Sequence, residues 1–151
     1  MRLQFIYGLT LSMVLVSSTV SAANNCQILR VTPVNFGVYN PNNFNNVGVG
    51  FITLNCDPGV DATVELDYSG LNRNYRELHN GNSAPLSYIL CVDSACQFVW
   101  GDGLSGTHVY THLFTKNHST ITVPIYGKLL NQDNNKSAGR FHGDIKVNVS
   151  Y

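Results

Sequence analysis

An all-β sandwich or barrel is the architecture that this sequence predicts, and three observations predict it. Apolar and polar residues alternate with a period of two in one short run after another. Clusters of Pro, Gly, Asn and Asp separate those runs. No stretch of ten or more residues keeps the spacing of an amphipathic helix. Several short strands at regular intervals, with turn signals between them, close into a sandwich or a barrel.

The chain opens on a segment that does not belong to that pattern. Arg2 supplies a positive charge, Phe5 to Val16 (FIYGLTLSMVLV) is apolar, and small residues follow, ending Val20-Ser21-Ala22 before Ala23. This is the pattern of a secretory signal peptide over residues 1–22, with cleavage after Ala22. The apolar run is about a dozen residues, against the roughly 20 that a spanning helix needs. No later segment is long enough to span, so an exported domain over residues 23–151 is expected, without membrane insertion.

The strands then follow in order. Cys26–Val31 (CQILRV) begins a strand almost at once, and Val34, Phe36 and Val38 alternate in the next run until Asn40-Pro41 ends it. The clusters Asn40–Asn46 and Asn131–Asn135 read as loops. Gly50–Cys56 is a strand closed by Asp57-Pro58-Gly59, and Ala62–Tyr68 alternates Val64, Leu66 and Tyr68 before Ser69-Gly70. Leu71–Pro85 has weak periodicity and reads as a long irregular connection. Leu86–Val92, Gln97–Trp100, Thr107–Phe114 and Ser119–Leu129 are further strand-like runs. Pro124 lies inside the last of these, and a proline cannot donate to a ladder, so an edge, a bend or a break is expected there. Gly143–Tyr151 (GDIKVNVSY) places Ile145, Val147, Val149 and Tyr151 on one face. That strand must pair on both sides or sit at an edge, and an exposed, flat, apolar edge invites another chain.

Composition removes several classes of function. Lys and Arg total nine, as do Asp and Glu, and there is no basic patch, which argues against nucleic acid and against electrostatic membrane binding. The four cysteines all follow the signal segment, and an exported protein can keep them oxidised. Four cysteines allow three pairings. Cys91 and Cys96 would close a short loop between two strand-like runs, which leaves Cys26 with Cys56. A zinc site competes poorly, because only one close cysteine pair occurs and no Cys/His pair matches it. The five histidines are the natural place to look for an enzyme. His108 and His112 share a face on a helix or a strand, but the run GTHVYTHLF is β-branched and aromatic, and no third ligand stands at usable spacing. There is no Gly-x-Ser-x-Gly and no phosphate loop. A catalyst, a metal and a cofactor are all unexpected on this reading.

Three stretches resemble one known family. Val31–Pro41 (VTPVNFGVYNP) with Ile52–Cys56 (ITLNC) is similar to the start of the spore coat protein U domain, the pilin type of archaic chaperone–usher fibres. Leu86–Gly103 (LSYILCVDSACQFVWGDG) is similar to its middle. Val123–Lys128, Ala138–Phe141 and Asp144–Tyr151 are similar to its closing strands. The resemblance implies an immunoglobulin-like β-sandwich that lacks its last strand and is completed by a donated one. A periplasmic chaperone would lend the strand first, and a neighbouring subunit would replace it as an outer-membrane usher assembles the fibre. Ile145, Val147, Val149 and Tyr151 would then line the groove. The implied destination is the cell surface, after transit through the periplasm.

One departure from the family pattern bears on position in such a fibre. Donating subunits need an N-terminal extension of ten or more alternating residues, whereas Ala23–Asn25 alone separate the expected cleavage site from Cys26. Three residues reach about 10 Å, enough to accept a strand but not to give one, which points to the fibre tip. Phe44, Leu71 and Leu104, apolar residues within loop-like stretches, are the candidates for adhesive contact there. The alternative is a self-contained secreted module, lectin-like or surface-coating, with a complete sandwich.

Overall fold

The computed structural model describes residues 24–39, 46–67, 75–81, 84–130 and 139–151. The expected signal segment, Phe44 and Leu71 lie outside the described residues. Eight strands are present: β1 (Cys26–Asn35), β2 (Val47–Cys56), β3 (Asp61–Leu66), β4 (Arg76–Leu78), β5 (Leu86–Cys91), β6 (Tyr110–Leu113), β7 (Thr120–Leu129) and β8 (Val147–Ser150). They form two antiparallel sheets, one of five strands in the order β1-β2-β7-β5-β4 and one of three in the order β6-β3-β8. The fold is a β-sandwich of the kind the alternation predicts.

Period two decides which side chains meet between the sheets. Ile52, Leu54 and Cys56 of β2, Ala62, Val64 and Leu66 of β3, Tyr88 and Leu90 of β5, and Val123, Ile125 and Leu129 of β7 are all buried in one cluster. Burying a Leu or Ile side chain fully contributes about 1.5–3 kcal/mol. Asp57-Pro58-Gly59-Val60 carries the chain from one sheet to the other. Gly59 takes φ +91° and Val60 N–H donates to Asp57 O at 3.2 Å, the geometry in which Pro leads and Gly supplies the positive φ. Cys26 is bonded to Cys56 at the start of the β1–β2 pair, and Cys91 to Cys96 after β5.

Two buried side chains join the layers. Trp100 is fully buried, and its Nε1–H donates to Val64 O at 3.0 Å. Arg76, 5% exposed, donates from Nη2 to Leu66 O at 2.9 Å, and reaches Asp67 O and Trp100 O at 3.4 Å. A buried guanidinium is costly unless its donors find acceptors, and here the carbonyls of Leu66, Asp67 and Trp100 accept from its Nη groups. Burial raises the pKa of the neighbouring Tyr88 phenol, an effect the charge on Arg76 opposes.

The structure revises four readings of the sequence. The stretch 71–85 is not wholly irregular: β4 lies within it, too short at three residues to show a period, and its Arg76 is a charge turned inward. Residues 97–100 make isolated bridges, Cys91 to Val99 and Trp100 to His108, instead of a strand. The two runs before Pro41 form a single β1, with irregularities at Ile28/Arg30 and Thr32/Asn35. Pro33 is tolerated there because it falls inside the second bulge of an edge strand. The final strand spans four residues, with Ile145 before it and Tyr151 after it.

Of the outcomes expected at Pro124, an edge, a bend or a break, the structure has the edge: β7 runs through it and pairs with β2 throughout. Cys56 N–H bonds Ser119 O and Leu129 N–H bonds Asn46 O, so odd-numbered residues of β7 face β2. The missing N–H of Pro124 therefore points the other way, one step past Tyr126, where the β5 ladder has ended. That half of β7 is an edge.

The end of β1 folds over the inner face of its own sheet, and glycines make this possible. A Cβ on Gly50 would stand 2.6 Å from Thr32 O and 2.8 Å from Val34 N; one on Gly127 would stand 2.7 Å from both Phe36 and Val34 side chains. Gly50→Ala is therefore expected to lift β1 and to destabilise the domain by about 1–3 kcal/mol, measured by equilibrium denaturation. Peptide mapping under non-reducing conditions is expected to recover Cys26–Cys56 and Cys91–Cys96. A Cys26–Cys91 peptide would contradict the register of β1 on β2.

Candidate functional site

One side of the sandwich is closed by backbone hydrogen bonds that pass from sheet to sheet. Trp100 N–H donates to Leu90 O at 2.7 Å, His108 N–H to Val99 O at 2.7 Å, Gly101 N–H to His108 O at 2.8 Å, and Leu66 N–H to Gly101 O at 3.1 Å. This stitching runs from β5 to the segment that enters β6. The rings of Trp100, Tyr110, His112 and Phe114 pack in series behind it, at centroid distances of 5.9, 6.5 and 4.9 Å.

The other side has no such seam among the described residues. Its two edges are β1, the last strand of the five-stranded sheet, and β8, the last strand of the three-stranded one. Backbone polarity along each edge follows from register. Asp67 N–H donates to Lys146 O, so Lys146, Asn148 and Ser150 turn their backbone groups toward β3. Val147 and Val149 turn theirs away from it. On β1, Asp57 N–H donates to Asn25 O, so Gln27 faces β2 while Ile28 faces outward. Beyond the first bulge Val31 again faces outward.

The side chains of the same four residues point inward. Val147 and Val149 stand opposite Leu66 and Val64, and Ile28 and Val31 stand opposite Leu54 and Ile52, all four partners being core residues. Yet Ile28 is 40% and Val31 48% exposed, and Val147 and Val149 are only half-buried. An inward-facing aliphatic residue that remains exposed marks a place over which the described residues put no opposing layer. The site is a slot with apolar walls, and its two rims are rows of unpaired N–H and C=O groups. What such a slot can hold is an extended chain, bonded on both edges and offering alternate apolar side chains downward.

The residues singled out from the sequence fall as follows. Ile145, Val147 and Val149 pack against the core along this slot, and Tyr151 lies exposed at its end. Lys146 is on the opposite face, with its Nζ 3.9 Å from Asp67 at the surface. The β1 side of the slot, Ile28 and Val31, was missed. The signal for it was present, since CQILRV is too apolar for a strand with a fully wet face, but the bulge at residue 29 hides the alternation. Leu104 is exposed in a loop braced by Asp102, whose Oδ1 accepts from Leu104 N–H at 3.0 Å and from the Thr107 hydroxyl at 3.2 Å. His108 and His112 are not brought together as a ligand pair: His108 packs on Phe98 at 4.8 Å, and His112 between Tyr110 and Phe114.

Three comparisons bear on this geometry. The profile of the Spore Coat Protein U domain matches residues 10–148. No curated protein sequence matches the chain. Among solved structures, a chain of the chaperone–tip adhesion subunit pre-assembly complex from the archaic chaperone–usher Csu pili of Acinetobacter baumannii is similar, with a TM-score of 0.62 at 20% identity. The similarity covers 85% of the present chain and 40% of that one, so this chain spans well under half the length of its structural neighbour.

Hydrogen exchange of the free chain is expected to separate the two sides of β8. Val147 and Val149 amides should exchange quickly, while Asn148, bonded to β3, should be protected. Uniform protection of 147–149 would mean that the outer edge of β8 is already paired.

Proposed function

The chain belongs to the Spore Coat Protein U domain family, and from that premise we propose that it is a subunit of a chaperone–usher surface fibre, completed by a strand that a partner donates. The observation that carries this is the coincidence of two things at one place: inward aliphatic residues left exposed on β1 and half-buried on β8, and outward backbone groups left unpaired on both. Either alone is common. Together they describe the two neighbours of a strand that the domain does not supply.

The sequence of events follows from the physics of that slot. In the periplasm the apolar walls would expose the chain to aggregation, so a chaperone strand fills them first. At the usher, a strand from a neighbouring subunit takes its place, and the exchange sends the subunit to the surface as part of the fibre. Cleavage after Ala22 would leave Ala23–Asn25 ahead of β1. Asn25 is already held to its own domain, donating from N–H to Asp57 Oδ2 at 2.8 Å and accepting from Asp57 N–H at 2.9 Å. A chain so processed receives a strand and gives none, and it therefore sits at the tip. There Leu104, and with it Phe44 and Leu71, would be free of neighbouring subunits and available for adhesive contact.

The test uses one face of β8 against the other. Val147→Asp or Val149→Asp puts a carboxylate into an apolar slot, at a cost of several kcal/mol, and is expected to abolish co-purification with the chaperone. Lys146→Asp should leave it intact. Equal capture of all three variants would contradict the donated-strand reading. Placement at the tip is tested separately, by N-terminal sequencing of the surface protein and immunogold labelling of fibres. Labels along the shaft would exclude the tip while leaving the fibre assignment untouched.

A further inference from the structure

The bridge between His79 and His142 has no part in the slot, and it brings together chemistry that the fibre reading does not use. The two residues exchange both backbone hydrogen bonds, His79 N–H to His142 O at 2.9 Å and His142 N–H to His79 O at 3.0 Å. Residues paired in this way project from the same face, with Cβ atoms about 5 Å apart. Glu77 is two residues before His79 and so shares that face, and its Oε2 lies 3.6 Å from His79 Nε2. Both side chains are more than two-fifths exposed, and His142 is exposed as well.

We propose that His79, His142 and Glu77 form a binding site for a divalent transition metal of the zinc or nickel type. Two imidazole nitrogens on one tetrahedral ion stand about 3.3 Å apart, from metal–nitrogen distances of about 2.0–2.1 Å. Imidazoles borne on Cβ atoms about 5 Å apart converge to that separation without backbone movement. The carboxylate of Glu77 is the third ligand, and water takes the fourth position. Imidazole suits these ions well, and the mixed nitrogen and oxygen set disfavours calcium and magnesium. Among the described residues no three such groups converge in the arrangement seen. The site therefore assembles by rotation of side chains that are all exposed.

Binding there has a structural consequence. His79 follows β4 directly, and His142 is on the segment that leads to β8. The next residue, Gly143, runs so close to β4 that a Cβ on it would stand 2.9 Å from Glu77 O. A metal held by both histidines fastens the approach to β8 onto the far edge of the five-stranded sheet. An ion that binds only the folded form stabilises it by mass action, and here it does so next to a strand that has one neighbour.

Isothermal titration of the full exported chain with ZnCl2, and separately with NiCl2, tests the site. One saturable equivalent is expected. His79→Ala and His142→Ala should each abolish it, Glu77→Gln should weaken it, and His118→Ala, at a distant turn, should leave it unchanged. Metal should also slow amide exchange at residues 79 and 142, a readout that does not depend on any substitution. No saturable binding, or binding that survives either His79→Ala or His142→Ala, would overturn the proposal.

Discussion

A backbone N–H or C=O that borders an apolar interior has to find a partner, and water serves poorly where the adjoining side chains are aliphatic. In this domain that constraint is largely met along β2 and β3, each with a strand on either side, and is left open along the outer edges of β1 and β8. Much else can be read as a consequence. The core is complete beneath the central strands, where Ile52, Leu54, Val64 and Leu66 are essentially inaccessible. It thins toward the open side, where Ile28 and Val31 remain exposed although they face inward.

The closed side shows how much structure is needed to seal a sandwich. No strand does it. Trp100 fills the space between the sheets, Arg76 gathers the carbonyls of Leu66, Asp67 and Trp100, and residues 98–101 and 108 pass hydrogen bonds from β5 toward β6. The turn that starts this seam is itself braced. Asp93 accepts from the N–H groups of Gln97 and Phe98, which holds its carboxyl below the usual carboxylate range, and Cys91 is bonded to Cys96 across it. Nothing comparable links β1 to β8 among the described residues. The asymmetry leaves the open side with room for a single extended segment, as the proposed function requires.

Much of this was legible in the sequence, and the exceptions share a cause. Period two found the long strands, because inward positions recur at every second residue from Ile52 to Cys56 and along β7, although β2 begins at Val47, three residues before the run read from sequence. It also placed Val147 and Val149 on one face. It failed where alternation is broken or too short: the bulge at residue 29 concealed Ile28 and Val31 as the second wall, and three residues of β4 carry no readable period. Arg76 drew no notice for a different reason, since nothing in sequence distinguishes a guanidinium held by backbone carbonyls from a surface charge. Pro124 left an edge, a bend and a break all open because sequence does not say which way an N–H points. Only the register on β2 shows that its missing donor faces a ladder that has already ended.

The central claim is that the sandwich lacks one strand and that an added strand completes it. The most direct measurement is thermal unfolding of the chain with and without a strand tethered after Tyr151, through a flexible Gly/Ser linker, bearing alternating valine and threonine. If the slot between β1 and β8 is vacant, the tethered form should melt as a monomer at a markedly higher temperature. Its Val147, Val149, Ile28 and Val31 amides should then become protected together. An unchanged melting temperature, with those amides no slower than before, would mean that the domain is already complete.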